Sequence, residues 1–197
     1  MRCLITSMKG GVGKSSISYN LAVHLGCICI TNDLTVPQHD DIIQIPTGKN
    51  RIPKGLTSLD SAVFDFGAMS TMLDKKISHA LQLCDLVIIP TRIDARSLEA
   101  TLETYKLVKE AGKPIVIIIN HFRDWKKHDA ARDHLLSKLG NRVPILAIRE
   151  TTLFDRVSRD GREWLLNIHN DRGAHMLSRT QRAHEVVYDR IQSMAGV

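Results

Sequence analysis

The chain has 197 residues, 43% hydrophobic and 24% charged, with 27 Lys and Arg against 21 Asp and Glu for a formal net charge of +6. These proportions fit a single globular domain over residues 1–197 and exclude collagen-like and low-complexity chains. The longest apolar runs, 86–90 and 114–119, fall far short of the ~18 residues a membrane span requires, and four Cys cannot form a disulfide framework at this length, so a cytoplasmic location is expected.

Short β-rich apolar runs then alternate with segments of helical period. Cys3–Ser7 reads as a strand, followed by a Gly-rich turn and a helix over Ser15–Leu25 with Ile17, Leu21, Ala22 and Leu25 on one face. Cys27–Thr31 reads as a second strand. Residues 34–58 hold three Pro and two Gly with little periodicity, which predicts one long irregular connection. A strand is expected over Ala62–Phe66 and a helix over Ser70–Leu83. Asp85–Pro90 and Ile115–Asn120 are continuous apolar runs, the mark of strands buried on both faces. Between them Ala95–Ala111 is helical, with Leu98, Leu102, Tyr105 and Val108 at spacings of three and four. Trp125–Leu139 reads as a helix, Val143–Ile148 as a strand and Leu153–Ser158 as part of a helix. Ala174–Met194 closes the chain as a helix whose Met176, Leu177, Ala183, Val186, Val187 and Ile191 read as a core-facing stripe. The alternation predicts a doubly wound, mostly parallel α/β sheet with helices on both faces.

The strongest motif is Lys9-Gly10-Gly11-Val12-Gly13-Lys14-Ser15-Ser16, between the first strand and the first helix. Phosphate needs a close backbone approach, so Gly stands where a Cβ would collide, and freed N–H groups with the helix N-terminus surround the anion. Gly10, Gly11, Val12, Gly13 and Ser16 would supply that cradle. Lys14 would supply a point charge, and the Ser15 hydroxyl a ligand for Mg²⁺. Met8 stands where the commoner G-x-x-x-x-G-K-[ST] pattern has its first Gly, and Lys9 follows it.

This K-G-G-V-G-K-S run resembles the deviant phosphate loop of the ParA/MinD family of dimerising ATPases, closest to short ParA-like plasmid partition ATPases. The resemblance extends over roughly residues 2–165 and implies ATP and Mg²⁺ as cofactors. It implies that Lys9 reaches across a sandwich dimer to the partner's phosphates. Asp65 would end a Walker B strand and hold Mg²⁺ through water, with Phe66 where the family usually has Pro. The run Asp85–Pro90 with Asp94 and Leu98 resembles the family's fourth strand and following helix, and Asn120 matches its base-contacting Asn. In Asn32–Gln38, Asp33 fits the first of two family aspartates and Pro37-Gln38 the tail. Thr35 occupies the second position and Val36 is extra. Asp33 is thus the best candidate for positioning the attacking water, and slow or partner-dependent hydrolysis is expected.

Other constellations carry bland readings. Cys27 and Cys29 are expected in the core; His39, Asp40 and Asp41 in a polar loop; His121, His128 and His134 at the surface. The family reading implies a nucleoid-associated homodimer, formed with ATP, that binds DNA without sequence preference and meets a centromere-binding, ParB-like adaptor, with no membrane partner. Every Lys-or-Arg position from Arg149 onward is Arg, and a pI near 9.3 suits work near polyanions. Arg179, Arg182 and Arg190 are the first candidates for DNA contact; the alternative is that they pair with Glu185 and Asp189 as a solvated face. Two rival functions remain open: an accessory ATPase that positions a conjugation or secretion complex, and an ATP-dependent ligase of the dethiobiotin-synthetase kind.

Overall fold

The computed structural model describes residues 1–33, 35, 38–45, 51–67 and 74–195, the side chain of Arg172 excepted. Strand β1 (Arg2–Ile5) leads through the Gly-rich turn into α1 (Lys14–His24), then β2 (Ile28–Thr31), β3 (Ile42–Gln44) and the short α2 (Lys54–Thr57). Next come β4 (Ala62–Asp65), α3 (Lys75–Leu83), β5 (Leu86–Thr91), α4 (Ala95–Val108) and β6 (Ile115–Phe122). The series ends with α5 (Trp125–Leu139), β7 (Ile145–Arg149), α6 (Leu153–Leu166) and α7 (His175–Met194).

The strands form one seven-stranded sheet in the order β3-β2-β4-β1-β5-β6-β7, and every pairing is parallel. Alternation along the strands splits the core in two. Cys3, Ile5, Val63, Leu86, Ile88, Val116 and Ile118 face the layer of α1, α6 and α7. Leu4, Phe64, Val87, Ile89, Ile117 and Ile119 face the layer of α3, α4 and α5. Because all strands run the same way, the carboxyl ends of β1, β4 and β6 deliver the phosphate loop, Asp65 and Asn120 to one edge, where open α/β sheets bind ligands.

Several expectations need correction. Residues 34–58 are not wholly irregular: Ile42 and Ile43 pair with Cys29 and Ile30 in a three-residue strand, too short to carry a periodic signal. Val36 and Pro37 lie outside the described residues, as do 70–73 of the expected third helix, which is described from Lys75 with Asp74 Oδ1 capping the Lys76 N–H at 2.7 Å. Helix α6 runs past Ser158 to Leu166 across a kink at Gly161, φ 75 and ψ −170. The stripe assigned to α7 is correct for half of its positions: Ile191 is buried, and Leu177 and Val187 pack against the core. Met176 and Val186 are instead 72% and 68% exposed, Ala183 is exposed too, and Ser178, Gln181, His184 and Tyr188 face the core. His128 is buried, packed on Phe122 at 4.6 Å between ring centroids. Cys27 and Cys29 are buried free thiols as expected. Among the described residues no helix is long and apolar enough to cross a membrane.

Candidate functional site

The turn after β1 is built to leave backbone N–H groups open. Gly13 precedes α1 at φ 89, a conformation that favours glycine, and its carbonyl accepts the first helical bond from Ile17 at 3.0 Å. A Cβ at Gly13 would also stand 2.2 Å from Asn120 Nδ2. No side chain caps α1 and no acid lies in its first turn, so its leading N–H groups and positive dipole end remain free for an anion. Lys14 lies directly over Gly67, just beyond β4, where a Cβ would approach its Cε to 2.3 Å. Val12 is buried, Gly10 and Gly11 are exposed, and Lys9 is half-buried with its N–H donating to Ser7 Oγ at 3.2 Å.

The carboxylates meet on the other side of Ser15. Its Oγ donates to Asp33 Oδ2 at 3.4 Å, while Asp33 Oδ1 accepts from both the N–H and the hydroxyl of Thr35, at 2.9 and 2.6 Å. Thr31 bridges the two acids: its hydroxyl donates to Asp65 Oδ2 at 2.9 Å and accepts the Asp33 N–H at 3.0 Å. The Thr35 hydrogen bonds hold the Asp33 carboxyl below its usual range. Asp65 is only 2% exposed, and burial pushes its carboxyl up against the opposing pull of Ser15, Thr31 and the Lys14 charge. Ser15, Asp33 and Asp65 form an all-oxygen set, the chemistry of a hard divalent cation. Among the described residues no three His, Cys, Asp or Glu side chains form a closed metal site, so a cation here would depend on Ser15 together with phosphate oxygens and water.

Asn120 is 4% exposed; its Nδ2 donates to the Val12 carbonyl at 3.1 Å and braces the phosphate loop, while its Oδ1 is buried with no hydrogen-bond partner among the described residues. The strand bulges just after it, with His121 at φ 57 and Arg123 paired to Glu150. Asp94 caps α4 by accepting from the Ser97 N–H and hydroxyl, at 3.0 and 2.7 Å; those bonds, with Lys9 nearby, hold its carboxyl down. Sequence reasoning missed Thr31, Gly67, Tyr19 and His39. Thr31, two residues before Asp33 at the end of an apolar strand, was the most findable of them.

Arg179, Arg182 and Arg190 lie on the exposed side of α7 and are not brought to the phosphate loop. Their expected acidic partners are engaged elsewhere. Glu185 accepts from Gln181 at 3.2 Å and faces His169 at 3.7 Å, and Asp189 pairs with His24 at 3.0 Å.

No family model matches the chain, and no curated protein matches it in sequence. Solved structures do match in fold. The cell division ATPase MinD of Pyrococcus furiosus superposes with a TM-score of 0.65 at 18% identity, covering 94% of this chain and 97% of that one. A plasmid partition protein of Borrelia burgdorferi B31 bound to AMPPNP gives 0.59 at 21% identity, covering 82% and 89%. The septum site-determining protein MinD of Pyrococcus horikoshii, complexed with Mg-ADP, gives 0.61 at 19% identity, covering 92% and 95%. The chain therefore has the fold of the MinD and ParA-like P-loop ATPases.

Proposed function

We propose that the chain is an ATP-dependent dimerising ATPase of DNA partition, which binds DNA non-specifically in its ATP state and releases it after hydrolysis. The observation that carries this reading is the grouping of Lys14, Ser15, Asp33 and Asp65 around an uncapped helix N-terminus. Similar folds were solved with AMPPNP and with Mg-ADP. Lys14 and the N–H groups of residues 10–16 would hold the β- and γ-phosphates. Ser15 would ligate Mg²⁺, with Asp33 and Asp65 orienting its waters; the ion would neutralise charge on those phosphates. Lys9, on the same edge, would reach the phosphates of a second copy, making dimerisation depend on ATP.

The position that would carry a second carboxylate is Thr35, and both of its donors turn back onto Asp33. Hydrolysis is therefore slow and waits on a partner, for which a ParB-like adaptor is the fitting kind. Exposed Arg179, Arg182 and Arg190, not neutralised by Glu185 or Asp189, favour a nucleic-acid partner over a protein complex. Such a protein would associate with the nucleoid.

Fluorescence anisotropy with random duplex DNA tests this, run with and without ATP and Mg²⁺ at several salt concentrations. Each phosphate contact contributes about −0.9 to the slope of log K against log salt, so an ATP dimer should show about twice the monomer's slope. Lys9→Ala should keep ATP binding and lose the ATP-dependent gain. Equal binding with and without nucleotide rejects the switch; no DNA binding at any salt turns the reading toward an accessory ATPase that positions a protein complex.

A further inference from the structure

Beside the Ser15–Asp33 pair lies a cavity of about 160 Å³ whose walls include Ser16, Tyr19, Thr35, His39, Ile42 and Ser158. Its outer wall joins three elements. The rings of Tyr19, on α1, and His39, on the connection from β2 to β3, lie parallel at an interplanar angle of 3° and 5.5 Å between centroids. His39 Nε2 stands 2.9 Å from the Ser158 carbonyl oxygen of α6; a carbonyl only accepts, so Nε2 carries the proton and donates. The other side of the ring lies against Gly161, where a Cβ would come within 3.0 Å of Nδ1. Further along the same connection, Asp41 Oδ1 accepts the Tyr19 hydroxyl at 3.0 Å, and Oδ2 faces Arg162 Nη1 at 3.8 Å. Burial, with the Asp41 charge next, pushes the Tyr19 phenol up, so it remains a donor at neutral pH.

We infer that His39 is a positioning residue for the candidate cation site: its stack on Tyr19 and its bond to Ser158 pin the connection that carries Asp33 to the helix that presents Ser15. The inference rests on the reading of Ser15 and Asp33 as that site. Asp33 is fixed on its upstream side by Thr31 at the end of β2. His39 fixes the downstream side, and both anchors refer to elements packed on α1. Anchors at Thr31 and at His39 should leave the Asp33 carboxylate fewer conformations to lose when it engages a cation, and so raise cation-dependent affinity without touching the phosphate cradle. Tyr19 stands about one helical turn beyond Ser15, so the clamp and the ligand share one rigid helix.

The test is ATP affinity by calorimetry, measured in EDTA and across a Mg²⁺ series, for the parent and for His39→Ala, His39→Phe and Tyr19→Phe. Loss of a stacked pair and a hydrogen bond in His39→Ala should cut the Mg²⁺-dependent gain in affinity roughly tenfold, with affinity in EDTA within about twofold of the parent. His39→Phe, which keeps the stack, and Tyr19→Phe, which loses only the bond to Asp41, should each lose about threefold, and they carry the test if His39→Ala does not fold. An unchanged Mg²⁺ dependence, or an equal loss with and without Mg²⁺, overturns the inference while the nucleotide reading stands. A parent that binds ATP with no gain from Mg²⁺, or not at all, overturns the cation-site reading and the inference together.

Discussion

The two helical layers packed on the sheet both bury polar side chains and differ in how these are paired. In the layer of α3, α4 and α5, Ser97, Thr101 and Thr104 all have hydrogen-bond partners, and among the described residues His128 Nε2 alone is left without one. The layer of α3, α4 and α5 meets its face with Ile77, Leu81, Leu98, Leu102, Ala131 and Leu135 against Phe64, Ile117 and Ile119. The layer of α1, α6 and α7 contributes Ile17, Leu21, Val157 and Leu165, and it buries Ser18, Asn20, Gln181, His184 and Tyr188. Asn20 Nδ2 reaches Gln181 Oε1 at 3.4 Å. Ser18 Oγ, Asn20 Oδ1, His184 Nδ1 and the Tyr188 hydroxyl are buried without a hydrogen-bond partner among the described residues. Each unpaired group costs roughly 1–3 kcal/mol, so the seam between α1 and α7 is less fully paired than the helices of the other layer. The phosphate loop runs into α1, on the less fully paired side of the sheet.

Three measurements bear on that contrast. The largest effect belongs to the face under α3, α4 and α5: Phe64→Ala should cost about 3–5 kcal/mol in urea denaturation, by lost transfer energy and a residual cavity. A cost below about 1 kcal/mol would show that this face repacks. Next comes His184, stacked on Phe154 at 5.1 Å between centroids and depressed by burial from 6.5 to about 4. Its folded form resists protonation more than its unfolded form does. Its contribution is therefore complete above pH 6.5 and lost as pH falls from there toward 4, by about 3 kcal/mol in all. Stability curves at stepped pH should show that acid slope in the parent and a shallower one in His184→Phe; identical slopes would remove His184 as its source. The smallest effect is at Tyr188, where removing the unpartnered hydroxyl in Tyr188→Phe should leave stability unchanged or raise it by up to about 1 kcal/mol. A clear loss of stability would mean that the hydroxyl is satisfied and the seam tighter than it looks.

The same contrast decides how much could be read in advance. The sheet and the helices α3, α4 and α5 follow from short apolar runs alternating with segments of period 3.6, and Trp125–Leu139 is bounded as expected. The inward face of α7 is legible only in part: Leu177, Val187 and Ile191 meet the core, but other buried positions are filled by Ser178, Gln181 and His184, which carry no hydrophobic signal, while Met176 and Val186 point outward. His128 was misplaced because its burial depends on packing against Phe122 at the end of β6, which the helical spacing of α5 does not encode. At the site, Lys14 and Ser15 were legible because phosphate chemistry fixes their spacing to the glycines. The bracing role of Asn120 was not, since it depends on how closely β6 passes under Val12. Likewise Asp33 was identified, but its position against Ser15 and its sharing of Thr31 with Asp65 are products of the β2–β4 pairing.

The central place of β1 has a consequence for how the molecule comes into being. Arg2 pairs with Ala62 and Cys3 with Leu86, so the strand bearing the phosphate loop is flanked by segments made much later in synthesis. Non-local parallel pairing is slow because chain closure precedes any reward, and an emerging chain holds β1 unpaired until β4 and then β5 leave the ribosome. The loop cannot take up its bound shape before that point, nor before β6 supplies the Asn120 brace beneath it. The nucleotide site proposed above would thereby be complete only in a chain that includes β6.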